Sequence, residues 1–71
     1  IPTEQKIVML LYGALETEGV KKQELAEAMN MTTMTLLRRK KSPLDFTVRE
    51  LQAACRKLHI PIEDLRAVIC L

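Results

Sequence analysis

Aromatic residues are almost absent from this chain of 71 residues, which has one Phe, one Tyr and no Trp. Glycine is also rare, at two residues, and β-branched residues seldom alternate with polar ones, so the usual signals of β-strands and hairpins are missing. Apolar residues nevertheless make up 48% of the chain, which is too many for a disordered protein. We therefore expect one all-α domain over residues 1–71, a compact bundle of about five helices.

Residues that build catalytic and metal sites are also few. The single histidine, His59, has no second histidine, nucleophile–base pair or glycine-rich phosphate loop to work with, so we predict a helix-capping or surface role. Cys55 and Cys70 are too few for a disulfide framework or a metal cluster, and Cys55 has the spacing of a buried helix residue. The sequence therefore predicts no enzyme, no cofactor and no metal site, in a reducing, intracellular setting.

Long apolar runs are missing as well, since none reaches the roughly 18 residues of a membrane span. The longest run, IVMLLYGAL at residues 7–15, has the length of a signal-peptide core. ETEG follows it, however, where a small-residue cleavage site would lie. We expect a buried first helix instead, with Thr3 as its N-cap and Gly19 near its end.

Charge is present but unevenly distributed. Residues 21–41, KKQELAEAMNMTTMTLLRRKK, hold six of the eleven basic residues and two of the nine acidic ones, a net charge of +4. The rest of the chain holds five basic and seven acidic residues, a net charge of −2. A basic run of this kind is often only a solvated helix surface, but it is also the distribution expected of a face that binds a polyanion.

The basic stretch contains two short helical patterns. KKQELAEAM forms the first, and Asn30 tolerates the left-handed conformation that a turn after it requires. Thr32 or Thr33 can cap the next helix, at about residues 33–40, and Leu36 and Leu37 are expected near the core. KSP ends that helix, because a residue before proline avoids the helical region.

Two further helices follow. Thr47 and Glu50 have the spacing of a capping box, and apolar residues then recur every three or four positions up to Leu58. Pro61 is expected at the first position of a short fifth helix, whose apolar side is completed by Leu65 and its neighbours.

Helices joined by a turn of three or four residues can form a helix-turn-helix, in which one helix braces across the DNA backbone and the next enters the major groove. Such a unit needs a small residue where the helices cross, a residue that accepts positive φ in the turn, and apolar anchors around both. The sequence supplies Ala26 for the crossing and Asn30 for the turn. The anchors are Leu25, Met29, Met31 and Leu36.

On these residues the stretch KQELAEAMNMTTMTLLRRKKSP resembles the helix-turn-helix of the Cro and lambda-repressor (XRE-like) family of phage and bacterial regulators. RRKKSPLDFTVRELQAACRKLHI resembles the later helix of the same family, and together the two stretches span residues 22–60, a little over half of the chain. The resemblance implies a lambda-repressor-like bundle that binds duplex DNA sequence-specifically, as a transcriptional regulator of the phage or prophage repressor type. It also implies a homodimer on DNA in the cytoplasm of a bacterial or phage-infected cell.

The resemblance further implies roles for individual residues. Phosphate contacts would come from Lys22 and Gln23 at the start of the second helix and from Lys40 and Lys41 at the end of the third. Thr methyl groups and a methionine suit thymine methyl groups, and an arginine suits a guanine edge or a phosphate. The residues placed at the groove on this basis are Thr32, Thr33, Met34 and Arg38.

The sequence departs from the family pattern at three positions. Asn30 stands where the family has a turn glycine, and Thr33 is shorter than the polar residue usual there. Arg39 falls where many members have an inward Leu or Ile, and the sequence assigns it no role.

The apolar side of the fifth helix has two interpretations. It can pack onto the first helix, or it can form part of a two-fold dimer contact that would set two recognition helices ~34 Å apart. The residues of the second interpretation are Ile62, Leu65, Val68 and Ile69.

Two other functions stay open, because a fold does not fix a function. The chain can be a protein-interaction module, which substitutions at Arg38 and Lys41 would leave intact and substitutions in the fifth helix would disrupt. It can also be the DNA-targeting domain of a larger protein such as a recombinase or nuclease. The first residue is Ile1 and not Met, so we expect the natural start to lie upstream.

Overall fold

A computed structural model describes residues 2–69 of the chain. It contains five α-helices and a short 3-10 helix, and no strand occurs within these residues. The all-α bundle of five helices is therefore confirmed. The helices are α1 (Thr3–Glu18), α2 (Lys22–Ala28), α3 (Thr33–Lys41), α4 (Val48–Leu58) and α5 (Ile62–Ile69), with the 3-10 helix at Pro43–Asp45.

The core is built mainly from leucine, and every helix contributes one leucine that is almost fully buried. α1 packs against α4 and α5, while α2 packs against α3 and α4. The third helix rests on α2 and on the 3-10 helix, so one side of it is left toward solvent. The five leucines, one from each helix in order, are Leu11, Leu25, Leu36, Leu58 and Leu65.

Capping residues define most of the helix ends, largely as predicted. Glu50 N–H donates to Thr47 Oγ1 at 3.1 Å, and Thr47 N–H donates to Glu50 Oε1 at 2.9 Å, which confirms the capping box of α4. Gly19 ends α1 with a φ of 66°, and His59 ends α4 with a φ of 58°. Pro61 directly precedes α5, one position earlier than expected.

The N-cap predicted at Thr3 is wrong. Thr3 is the first residue inside α1, and Pro2 is the N-cap, in an extended conformation with φ −61° and ψ 150°. The carbonyl of Pro2 accepts a hydrogen bond from Lys6 N–H at 3.1 Å, so the helix begins one residue closer to the N-terminus than predicted. Proline suits this place because it needs no partner for a missing N–H.

Leu37 lies elsewhere than predicted, whereas Leu65 fits the first of the two interpretations of α5, in which this helix packs onto α1. Leu37 is 49% exposed, because a helix turns by about 100° per residue and Leu36 already occupies the inward position. Leu65 is only 2% exposed within the single chain, so it is part of the core and is not available for a dimer contact. Ile62 is exposed, whereas Val68 and Ile69 are partly buried against the core.

No helix within residues 2–69 is both long enough and apolar enough to cross a membrane. Cys70 and Leu71 lie outside the described residues.

Candidate nucleic-acid interface

The turn between α2 and α3 has the backbone geometry that the sequence predicted. Asn30 has a φ of 59°, and Met31 N–H donates to the carbonyl of Ala26 at 2.9 Å, which closes the turn onto the end of α2. Thr32 caps α3, because its Oγ1 accepts from Thr35 N–H at 3.1 Å. The small residue Ala26 is 1% exposed, as expected for the helix crossing. A short turn therefore joins α2 and α3, closed by a backbone hydrogen bond onto the end of α2.

The solvent side of α3 is a continuous stripe of exposed side chains. Its members recur at intervals of three and four residues, so they share one face of the helix, and Leu36 anchors the opposite face in the core. Two of them are apolar: Met34 is 62% exposed and Leu37 is 49% exposed. The stripe is formed by Thr33, Met34, Leu37, Arg38 and Lys41, and we refer to these five residues as the α3 face.

One of the two predicted residues of α2 lies beside this stripe. Lys22 and Gln23 are exposed in the first turn of α2. Lys22 lines a surface cleft of about 350 Å³ together with five residues of α3 and with Tyr12 of α1. The α3 residues that line it with Leu36 are Thr33, Met34, Leu37 and Lys40. The fold thus brings Lys22 next to the α3 face, across the turn.

Lys40 is held at the edge of the same cleft by an aromatic ring. Its Nζ lies 4.6 Å from the ring centroid of Tyr12, within the range of a cation–π interaction. Tyr12 is half-buried, and burial raises the pKa of its hydroxyl. Lys40 and Lys41 also border a groove that reaches Glu4 in the first turn of α1. The two lysines are therefore placed where α1 and α3 meet.

Thr32 is brought to the start of α3 but has little hydrogen-bonding capacity left. Its Oγ1 accepts from Thr35 N–H and donates to Thr35 Oγ1 at 3.0 Å. Thr33, the first residue of α3, is exposed and has no such bond. Of the two threonines, Thr33 is the freer one.

Arg39 lies apart from the other cations of the run RRKK. Its guanidinium forms an ion pair and hydrogen bond with Oε1 of Glu50, and both side chains are largely shielded from solvent. The same oxygen of Glu50 accepts the backbone N–H of Thr47. Arg39 therefore links α3 to the capped start of α4. The sequence held one hint, an arginine at a position where the resembled family has an inward apolar residue.

The remaining cations of residues 21–41 stay available. Within residues 2–69 the ion pairs of Lys and Arg are Arg39 with Glu50 and Lys57 with Glu24 at 3.9 Å, while His59 Nδ1 lies 2.8 Å from Glu18 Oε1, at hydrogen-bond distance. Five cations of the basic stretch thus have no carboxylate partner in the described chain. They are Lys21, Lys22, Arg38, Lys40 and Lys41.

Within the described part of the chain, the side chains that could bind a metal or act as a nucleophile show no sign of a second site. Among the residues that the structure describes, no set of three or more His, Cys, Asp or Glu side chains converges on a possible metal position. Cys55 is 4% exposed in the core, and burial, followed by the nearby Asp64 carboxylate, raises the pKa of its thiol. A neutral buried thiol is inert packing, as predicted.

No protein-family model, curated protein or solved structure matches this chain.

Proposed function

We propose that this chain is a helix-turn-helix domain that binds duplex DNA through the major groove, as a transcriptional regulator of the phage-repressor type. The observation that carries the proposal is the α3 face, an exposed helix stripe braced by α2 and bordered by cations that pair with no carboxylate within residues 2–69. A helix of this size fits the roughly 12 Å width of the major groove. The resemblance of residues 22–60 to XRE-like regulators supports the same function.

The proposed roles follow from position. Lys22 and Gln23 contact phosphates on one side of the groove, and Lys40 and Lys41 contact phosphates at the end of α3. Thr33, Met34 and Arg38 face the base edges, and Thr32 fixes the start of the helix by capping it. Phosphate neutralisation then supplies much of the affinity, so binding weakens steeply as salt rises.

A homodimer on DNA is part of the proposal, with a smaller contact on α5 than the sequence suggested. Leu65 is buried in the core, so Ile62, Val68 and Ile69 are the remaining candidates for the dimer contact. A two-fold pair of chains places two copies of α3 one turn of DNA apart, about 34 Å. Bound sites are then expected to contain two inverted half-sites at that spacing.

The experiment begins with selection of bound duplexes from a random library. Affinity is then measured against salt, on a selected and an unrelated duplex, for Arg38→Ala and Lys41→Ala. We expect Arg38→Ala to relax the preference for the selected duplex by about 1–3 kcal/mol, because a guanidinium on a base edge discriminates between bases. We expect Lys41→Ala to weaken both duplexes alike and to reduce the salt slope by about one.

Lys57 provides the matched control, because it is a lysine on α4 that pairs with Glu24 at 3.9 Å. Lys57→Ala is expected to leave both duplexes nearly unchanged. Identical behaviour of the Arg38 and Lys41 variants would contradict the assignment of roles. The absence of any enriched duplex, together with salt-insensitive binding, would contradict DNA binding itself.

One observation favours a second function, binding of another protein. Met34 and Leu37 are exposed apolar side chains, and such residues are enriched at protein interfaces. In that case substitutions at Arg38 and Lys41 leave function intact. The cations on the same face make DNA the better match.

A further inference from the structure

The middle of the α3 face is apolar, although its surroundings are basic. Met34 and Leu37 lie three residues apart, so they are neighbours on one side of the helix. They are 62% and 49% exposed and line the same cleft, where Tyr12 and Leu36 also lie. Both side chains thus lie next to apolar groups on one side and are exposed to solvent on the other.

The hydrogen-bonding groups on the α3 face are few. Arg38 supplies a guanidinium and Thr33 a hydroxyl, while Lys41 lies in the last turn. The face contains no Asn or Gln, the side chains that pair bidentately with adenine. This face therefore cannot read an A·T pair through the bidentate hydrogen bonds that Asn or Gln makes with adenine.

Thymine offers the alternative, because its C5-methyl group is the apolar group that the natural base pairs present in the major groove. We propose that Met34 and Leu37 are specificity-determining residues that contact the C5-methyl groups of thymine. This inference rests on the proposed function, since it requires that α3 lies in the groove. It commits the apolar pair to DNA and not to a protein.

Charge complementarity is the reason for that commitment. Lys22 and Lys40 line the same cleft as the apolar pair, and Arg38 follows Met34 by one turn. None of the three has a carboxylate partner within residues 2–69. A duplex provides phosphates at the edges of the groove and methyl groups at its floor, which matches this order of charged and apolar groups.

The test uses a bound duplex in which each thymine is replaced in turn by uracil, which removes the C5-methyl group and nothing else. We expect affinity to fall roughly fourfold at each contacted thymine, the value of burying about one methylene. In Met34→Ala and Leu37→Ala, the uracil effect disappears at the thymine that the lost side chain contacts and persists at the other.

Met9→Ala is the matched control, because Met9 is 62% exposed, as Met34 is, but lies on α1. It is expected to keep the full uracil pattern. All three side chains are exposed, so circular dichroism spectra of the variants should match the parent. Salt-dependent DNA binding that is indifferent to uracil at every position would overturn this inference and leave the proposed function standing. Failure to bind any duplex would overturn both.

Discussion

At the scale of single residues, backbone conformation restricts which side chain is acceptable. Asn30 and His59 both have φ near 59°, where a β-carbon is crowded, and neither is glycine. Asparagine is among the residues that tolerate this region best, which is why its place in the turn could be predicted from sequence. Leu37 could not be placed in the same way, because its neighbour Leu36 is chemically identical and only the packed core decides which of the two faces inward.

A pair of substitutions at Asn30 tests this restriction. Asn30→Val is expected to lower the free energy of unfolding by about 1–2 kcal/mol, since a β-branched side chain is strained in the left-handed region. Asn30→Gly is the matched change and is expected to be nearly neutral, because glycine adopts this conformation freely. Urea unfolding followed by circular dichroism gives both values. A valine variant as stable as the glycine variant would contradict the role of the turn conformation.

At the scale of elements, few neighbouring elements hold α3 in its position. It packs on α2 and on the 3-10 helix Pro43–Asp45, and the Arg39–Glu50 pair ties it to α4. The start of α3 could be predicted because capping is local: Thr32 and the residues that it caps are adjacent in sequence. The ion-pair partner of Arg39 could not be predicted, because Glu50 is eleven residues away and belongs to the cap of another helix.

A double-mutant cycle tests this link, using Arg39→Met, Glu50→Gln and the two together. Glutamine keeps an oxygen that can accept the Thr47 N–H but loses the charge, and methionine keeps much of the stem. We expect a coupling free energy of about 0.5–1 kcal/mol, because both side chains are still partly exposed.

The same Arg39→Met variant separates positioning from DNA contact. Its affinity for all duplexes is expected to fall together, with the slope of affinity against salt unchanged, because Arg39 is already paired inside the chain. The Lys41→Ala variant is the comparison, since its slope is expected to change by about one. A change of that size for Arg39→Met would identify Arg39 as a phosphate ligand instead.

At the scale of the whole molecule, a chain this small depends on each core residue. A domain of about 60 residues buries only about 60% of its unfolded surface, so its stability margin is narrow. The five-helix core could be predicted from periodicity, including Leu51, Ala54 and Cys55 of α4. The sequence could not predict which apolar residues of α5 are buried and which are exposed. That difference depends on how α5 packs against α1 and α4, which the spacing of apolar residues does not reveal.

Stability is expected to fall in alkaline solution. Burial raises the pKa of the Cys55 thiol and of the Tyr12 hydroxyl, so both stay protonated in the folded chain at pH values where the unfolded chain ionises. A raised folded pKa gives stability that is complete below the ordinary pKa, about 9 for cysteine and 10 for tyrosine, and is lost as pH rises through the folded value.

Denaturant unfolding under reducing conditions at pH 7.5 and pH 10 measures this loss. Cys55→Ala is expected to be less stable at pH 7.5 because it opens a small cavity, yet to lose less stability between the two pH values. A loss equal to that of the parent chain would show that the thiol does not contribute.

The contact between Lys40 and Tyr12 has a practical consequence. The chain has one tyrosine and no tryptophan, so its tyrosine fluorescence comes from a single ring. That ring lies 4.6 Å from Lys40 Nζ and lines the cleft beside Met34 and Leu37. A ligand that draws Lys40 away changes the environment of this one fluorophore. Tyr12 thus serves as a built-in fluorescent probe, without any label, at the contact between α1 and the helix proposed to enter DNA.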